Sequence, residues 1–357
     1  MTMTTPREQA AWDRLATLID PGTGQSWVAS KQVQSVQETD GRLVVALTLG
    51  YPAASQWPAL QAELTAALGA DEVRLSTRVV AHAVQRGLEL IPGVKNLIVV
   101  GSGKGGVGKS TTAANLALAL QAEGARVGLL DADIYGPSVP TMLGAQGQPS
   151  SPDGKSMEPL SAHGLQLMSI GFLVAQDQAT IWRGPMATQA LEQLLRQTRW
   201  DDLDYLVVDL PPGTGDIQLT LAQRVPVTGA VIVTTPQDVA LLDARKAARM
   251  FEKVSVPMLG LVENMSVFCC PNCGHSEPIF GADGGKRLAE ELGLPFLGEL
   301  PLLRRVRELS DAGMPPVVAE PASEVAQRYR ALARQVGAAV AQLGKDYSSK
   351  LPKVVKA

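Results

Sequence analysis

The sequence predicts an α/β protein in two parts, a doubly wound domain built on a mostly parallel sheet and, ahead of it, a small α+β domain. Three observations carry the prediction. From Asn96 onward, short apolar runs alternate with stretches of helical length, the pattern of a parallel sheet covered by helices on both faces. A glycine-rich stretch links the first of those runs to an alanine-rich helical segment. Residues 1–83 read instead as helix, strand, strand, helix, strand, an order that marks a separate compact unit.

In that first unit, Arg7 to Ile19 places Ala11, Leu15, Leu18 and Ile19 near one helical face, and Pro21 and Gly22 stop the helix. Thr39-Asp40-Gly41 is a hairpin signal, after which Leu43, Val45, Leu47 and Leu49 alternate toward one side. Ser55 to Leu68 reads as a helix with Pro58 in its first turn, and Val73 to Val80 as a β-branched strand. Residues 84–95, rich in Gly and Pro, form the expected linker. The second domain spans 96–345, with strands at Leu97–Val100, Val127–Leu130, Leu206–Val208, Ala230–Val233 and Leu259–Val262. Helices fill Ser110–Glu123, Ala187–Arg199, Val239–Val254 and Ser323–Leu343, and residues 346–357 are expected to be a flexible tail.

Charge and cysteine content narrow the partners. A net charge of -3 over 357 residues offers no global attraction to nucleic acid or anionic lipid, and no local basic patch stands out. The longest apolar runs fall far below a membrane span. Three cysteines, two of them adjacent, make no disulfide framework and suit a reducing compartment, so a cytoplasmic protein with thiolate ligands is expected.

Directly after Leu97–Val100 comes the stretch from Gly101 to Ser110, GSGKGGVGKS. From Gly103 it fits a Walker A phosphate loop, Gly103-Lys104-Gly105-Gly106-Val107-Gly108-Lys109-Ser110. Glycines let backbone N–H groups converge on phosphate oxygens, Lys109 reaches the terminal phosphates, and Ser110 ligates Mg²⁺. Gly101, Gly103 and Gly106 also satisfy a dinucleotide fingerprint, with Asp131 at a ribose-binding distance. That alternative has no need of Gly108-Lys109-Ser110, whereas a phosphate loop needs all three. Lys104 is an extra charge that an ordinary Walker A loop does not require.

Two later strands end in carboxylates. Val127–Leu130 runs into Asp131-Ala132-Asp133 and then IYGPS, and Leu206–Val208 into Asp209 and LPPGTGD, whose Pro212, Gly213 and Gly215 make a loop with alternative geometries. Acids at the carboxyl ends of parallel strands lie in the ligand crevice, where Mg²⁺ and an attacking water are held. Asn264 follows the Leu259–Val262 strand. Next comes Cys269-Cys270-Pro271-Asn272-Cys273-Gly274-His275, in which Cys270 and Cys273 are the candidate metal ligands. C-x-x-C also serves redox disulfides and zinc, and a knuckle of Cys270, Cys273 and His275 stays open. One pair is half of a four-thiolate site, which two copies across a symmetric dimer complete.

GKGGVGKST, from Gly103 to Thr111, resembles the deviant Walker A loop of the MinD and nitrogenase iron protein superfamily. Together with DADIYGPS, DLPPGTGD, VENMS and CPNCG it resembles the Mrp/ApbC group of iron–sulfur carrier ATPases, over residues 95–345. The first domain is similar to the small assembly domain shared with SufT-type factors, without a cysteine of its own. The resemblance implies that Lys104 reaches the partner's ATP in a homodimer, that Asp133 positions the water, that Asp131 and Asp209 support Mg²⁺, and that Asn264 reads adenine. It implies a [4Fe-4S] cluster on Cys270 and Cys273, accepted from scaffold proteins and passed to apo-proteins under control of slow ATP hydrolysis. The rivals are a MinD/ParA-like positioning ATPase, which has no use for CPNCG, and an electron-donating reductase, whose two well-separated cysteines this chain lacks.

Overall fold

The computed structural model describes residues 4–85, 87–173, 184–213 and 215–346; Thr214 and the expected tail beyond Asp346 lie outside that set. The first sheet has three strands. Its elements are α1 (Pro6–Thr17), β1 (Val33–Thr39), β2 (Arg42–Leu49), α2 (Trp57–Leu68) and β3 (Glu72–Thr77), with β1 antiparallel and β3 parallel to the central β2. A capping box starts α1: the Thr5 hydroxyl accepts from the Glu8 N–H while the Glu8 carboxylate accepts from the Thr5 N–H. The helix stops at Thr17, and Ile19, expected on its buried face, is exposed. Buried Asp20 organises the exit turn, accepting from the N–H groups of Gly22 and Thr23 and from the Tyr51 hydroxyl. Leu43, Val45, Leu47 and Leu49 are all buried, as their alternation requires.

The second sheet is built from β4 (Val94–Gly101), α3 (Lys109–Ala122), β5 (Val127–Asp131), α4 (Val139–Met142), β6 (Leu160–Ala162), β7 (Leu165–Ser169), α5 (Gly184–Gln197), β8 (Leu203–Asp209), α6 (Asp216–Arg224), β9 (Gly229–Thr234), α7 (Asp238–Lys253) and β10 (Met258–Cys269). It is completed by β11 (Ser276–Glu277), α8 (Gly284–Leu292), β12 (Phe296–Leu302), α9 (Arg304–Asp311), α10 (Pro316–Ala319) and α11 (Glu324–Ala341). The strand order is β11-β10-β9-β4-β8-β5-β7-β6, with β12 also paired to β10. In this sheet, among the described residues, only the β6–β7 and β10–β11 pairs are antiparallel. Continuous apolar burial explains why these strands read as unbroken hydrophobic runs: Leu97, Ile98, Val99 and Val100 are all in the core. Because β4 lies between β8 and β9, the chain leaving it through α3 crosses over to β5 on the far side of β8. Such a reversal opens a crevice at the carboxyl ends of the strands. Register places those ends together, Val100 beside Asp209 and Asp209 beside Asp131.

The two sheets meet at a buried carboxylate. Glu123, at the end of α3, has a fully buried side chain and pairs with Arg330 at 2.8 Å and Arg334 at 2.9 Å, both on α11. It also accepts from the N–H of Ser55 at 3.0 Å and from its hydroxyl at 2.7 Å, so the first domain is bonded to the far end of the helix that the phosphate loop begins. Burial alone would raise the Glu123 carboxyl; the Ser55 hydrogen bonds and the two guanidinium groups outweigh it and hold the group below its ordinary value. A lowered carboxylate stabilises the fold above the unfolded-state value and loses that contribution as pH falls through the folded one. Glu123→Gln is therefore expected to cost roughly 3 kcal/mol and to expose residues 87–93 to protease, with ATP binding retained. Unchanged denaturant midpoints and cleavage would contradict this latch. Among the described residues no helix is long and apolar enough to cross a membrane.

Candidate functional site

The loop between β4 and α3 is shaped by what crowds it. A Cβ on Gly103 would sit 2.1 Å from the Asp243 backbone, because α7 packs against the loop there. Gly108 has a φ of +81° and lies so close to Asn264 that a Cβ would come within 2.1 Å of its amide nitrogen. Asn264 in turn donates to the Val107 carbonyl at 2.9 Å, so β10 clamps the loop from the side. Gly105 and Gly106 are exposed, and Lys104 is half-buried with no ion pair among the described residues.

Lys109 is buried, with its ammonium 2.6 Å from Asp209 Oδ1, 3.2 Å from the Ser110 hydroxyl and 3.9 Å from Asp133 Oδ2. Burial pushes the Asp209 carboxyl up, against the Lys109 charge that favours its ionised form. Asp133 is also raised, again by burial first, with Lys109 opposing and Asp209 adding to the rise. Asp131 is pushed up to about 7 by burial and by the neighbouring Asp209, while the N–H groups of Val139 and Asp133 resist the shift. The Asp131 carboxylate, which also accepts from the Ser169 hydroxyl at 3.3 Å, is thus engaged in folding the loop after β5. The Ser110 hydroxyl lies close enough to Asp209 to favour its ionised form, and Asp209 Oδ2 is buried with no hydrogen-bond partner among the described residues. This oxygen and the Ser110 hydroxyl form a hard donor set of the kind Mg²⁺ takes.

The second carboxylate loop is tied to the phosphate loop directly: the Gly213 N–H, at a φ of +102°, donates to the Ser102 carbonyl at 3.0 Å. Asp133, Tyr135, Pro211, Pro212, Gly215 and Gln218 enclose a cleft of about 460 Å³. A second cleft of about 440 Å³ is lined by Gly108, Thr111, Asn264, Leu302, Val306 and Arg307, among others. Its far wall comes from the end of β12 and from α9, which sequence reasoning did not find; the apolar Pro301-Leu302-Leu303 run at a strand end was the available signal.

The cysteines sit on a hairpin that prolongs β10 by pairing with β11, Phe268 opposite Glu277 and Cys269 opposite Ser276. Its turn is closed by the Cys270 N–H donating to the His275 carbonyl at 2.8 Å and the Gly274 N–H to the Cys270 carbonyl at 2.9 Å. The N–H groups of Asn272 and Cys273 face the Cys270 sulfur and, with the Cys273 thiol, draw its ionisation below the ordinary thiol value. Cys273 is exposed and Cys269 and Cys270 are half-exposed. Among the described residues no three His, Cys, Asp or Glu side chains converge as a metal site.

Residues 93–337 match the family model described as NUBPL iron-transfer P-loop NTPase, and residues 8–79 match that of an iron–sulfur cluster assembly protein. The iron–sulfur cluster carrier protein of Escherichia coli (strain K12) is 54% identical over 331 residues, 91% of this chain and 90% of that protein. The iron–sulfur cluster transfer protein NUBPL of Mus musculus is 53% identical over 274 residues, 75% and 86% of the two chains. Among solved structures, a nucleotide-binding protein of Archaeoglobus fulgidus in complex with ADP is similar at a TM-score of 0.55 and 40% identity, covering 62% of this chain and 87% of that one. With its phosphate loop, its strand-end carboxylates and a match of this length, the chain belongs to the family of NUBPL iron-transfer P-loop NTPases.

Proposed function

We propose that this protein hydrolyses ATP and carries a [4Fe-4S] cluster, held by Cys270 and Cys273 of two copies, which it transfers to apo-proteins. The observation that carries the reading is the course of β10, which runs from Asn264, clamped on the phosphate loop, to Cys269 at the base of the CPNCG hairpin. One strand so joins the nucleotide site to the thiols. Phosphates lie in the loop from Gly103 to Thr111, adenine enters the cleft beside Asn264, and Ser110 and Asp209 hold Mg²⁺, with Asp131 shaping the loop that supports it. Lys109 and Mg²⁺ stabilise the charge that develops on the phosphoryl group, and Asp133 orients the water. Pro212, Gly213 and Gly215 change geometry with the γ-phosphate. The carrier relative of Escherichia coli supports cluster cargo; scaffold proteins are the donors we propose. The test is transfer: loaded protein mixed with an apo [4Fe-4S] enzyme should restore that enzyme's activity, at a rate that changes with ATP. An acceptor that stays inactive beside intact loaded protein would refute the reading.

A symmetric dimer is supported by the face around the loop. Val239 is 65% exposed and Leu242 57% exposed on α7, the helix whose Asp243 backbone touches Gly103, so an apolar surface lies beside the loop that carries Lys104. Lys104→Ala is expected to lose roughly 10³-fold in hydrolysis, the low end of the range for a charge supplied in trans, while still binding ATP. Mixed with Lys109→Ala chains, it should regain activity through one complete site per mixed dimer. No recovery after verified subunit exchange would place Lys104 in its own chain's site.

A further inference from the structure

The side chain that follows the second carboxylate loop has one committed atom and one uncommitted atom. Gln218 lies in the first turn of α6 and is 3% exposed. Its Nε2 donates to the Pro211 carbonyl, which fixes which end of the amide is which. Oε1 is then the other end, and it is buried with no hydrogen-bond partner among the described residues. An unpaired buried acceptor is costly, so the position calls for a donor. Gln218 lines the same cleft as Asp133, whose carboxylate is 3.9 Å from the Lys109 ammonium. Asp133 stands on the loop after β5 and Gln218 at the start of α6, so the cleft has an acceptor-bearing side chain on each side, with Gln218 Oε1 buried in its wall.

We infer that Gln218 Oε1 is a second catalytic acceptor for the attacking water, which it shares with Asp133; this rests on the reading of the site as an ATPase. A water that attacks phosphorus must direct a lone pair at it, and both hydrogens must then point to acceptors. One carboxylate oxygen takes the first and Gln218 Oε1 the second, leaving the oxygen with a single orientation. In the step itself a bond forms from the water oxygen to the γ-phosphorus while the bond to the β–γ bridging oxygen breaks, its electron pair leaving with ADP. The products are ADP and hydrogen phosphate, with one proton released to solvent. Gln218 gains and loses no proton. Because the same amide holds Pro211, the water is aligned only when the second loop is in place, which explains why the acceptor belongs to this residue.

The test compares full-length wild type with Gln218→Met, which keeps the volume and removes the acceptor. We expect kcat to fall about 10²-fold, the scale of a misplaced reactant. Affinities for ADP and ATP should stay within about twofold, while affinity for the transition-state mimic ADP–aluminium fluoride falls in step with kcat. A purely structural role would weaken all three ligands together, because the Gly213 to Ser102 bond ties this loop to the phosphate loop. That outcome, or wild-type kcat in Gln218→Met, overturns the inference. Should Gln218→Met unfold, Gln218→Glu decides. When protonated, the introduced carboxyl reproduces both the donor and the acceptor, so its rate relative to wild type should fall as pH rises, and a constant ratio contradicts the proposal. Failure of the ATPase reading is separate, since it would appear as wild-type protein without ATP turnover.

Discussion

Lys109→Ala is expected to abolish ATP hydrolysis and to weaken nucleotide binding. The ammonium is the cation that faces Asp209 at 2.6 Å and Asp133 at 3.9 Å, and it is the group placed to meet the phosphates. Removing it leaves acids clustered without their counter-charge. Breaking a buried pair in this way costs about 3–5 kcal/mol. The loss depends on pH with a definite sign. Burial has already raised Asp131, Asp133 and Asp209, Asp131 to about 7. Raised carboxyls favour the fold below their unfolded-state value, and that contribution is lost as pH rises through the folded one. Without Lys109 the acids rise further, so the variant's melting temperature should lie closer to wild type at about pH 5.5 than at about pH 8. Thermal unfolding at the two pH values, together with phosphate release, checks both parts. Wild-type turnover by the variant would remove this loop from the chemistry.

Cys270→Ser and Cys273→Ser should each eliminate the cluster and its transfer while leaving ATP hydrolysis largely intact. The hairpin turn aims two N–H groups at the Cys270 sulfur, which favours the thiolate that iron requires, and the paired thiols stand toward solvent. Cys269 belongs to β10, with its sulfur 3.5 Å from the Ser276 hydroxyl, on the strand rather than the turn. Cys269→Ser should therefore retain the cluster. Absorbance after anaerobic reconstitution separates the three variants, and full retention in Cys270→Ser would exclude that thiol as a ligand.

How much was legible before the fold was known depended on how local the signal is. The five parallel strands that carry the site could be read because each is a buried run, and Leu43 to Leu49 because its alternation is strict. The phosphate loop and CPNCG could be read because their chemistry fixes residue types at short spacing. Ile19 was misplaced because a buried Asp20 turn, a tertiary feature, ends α1 at Thr17. β12 and α9 were missed, and with them the far wall of the cleft beside Asn264, because Phe296–Leu302 carries glycine, acid and proline within a short strand. The Glu123 latch joins residues more than 200 positions apart and has no local signature. Gln218 is one polar residue on a short helix; only its fixed amide and its unpaired oxygen distinguish it.

One cluster shared between two chains fixes both the iron content per chain and the native mass of the loaded protein. Protein reconstituted with iron and sulfide under anaerobic conditions should contain about two irons per chain and appear as a dimer carrying four iron and four sulfide. Four irons on a monomer, or one tightly held zinc per chain after anaerobic purification, would contradict the account.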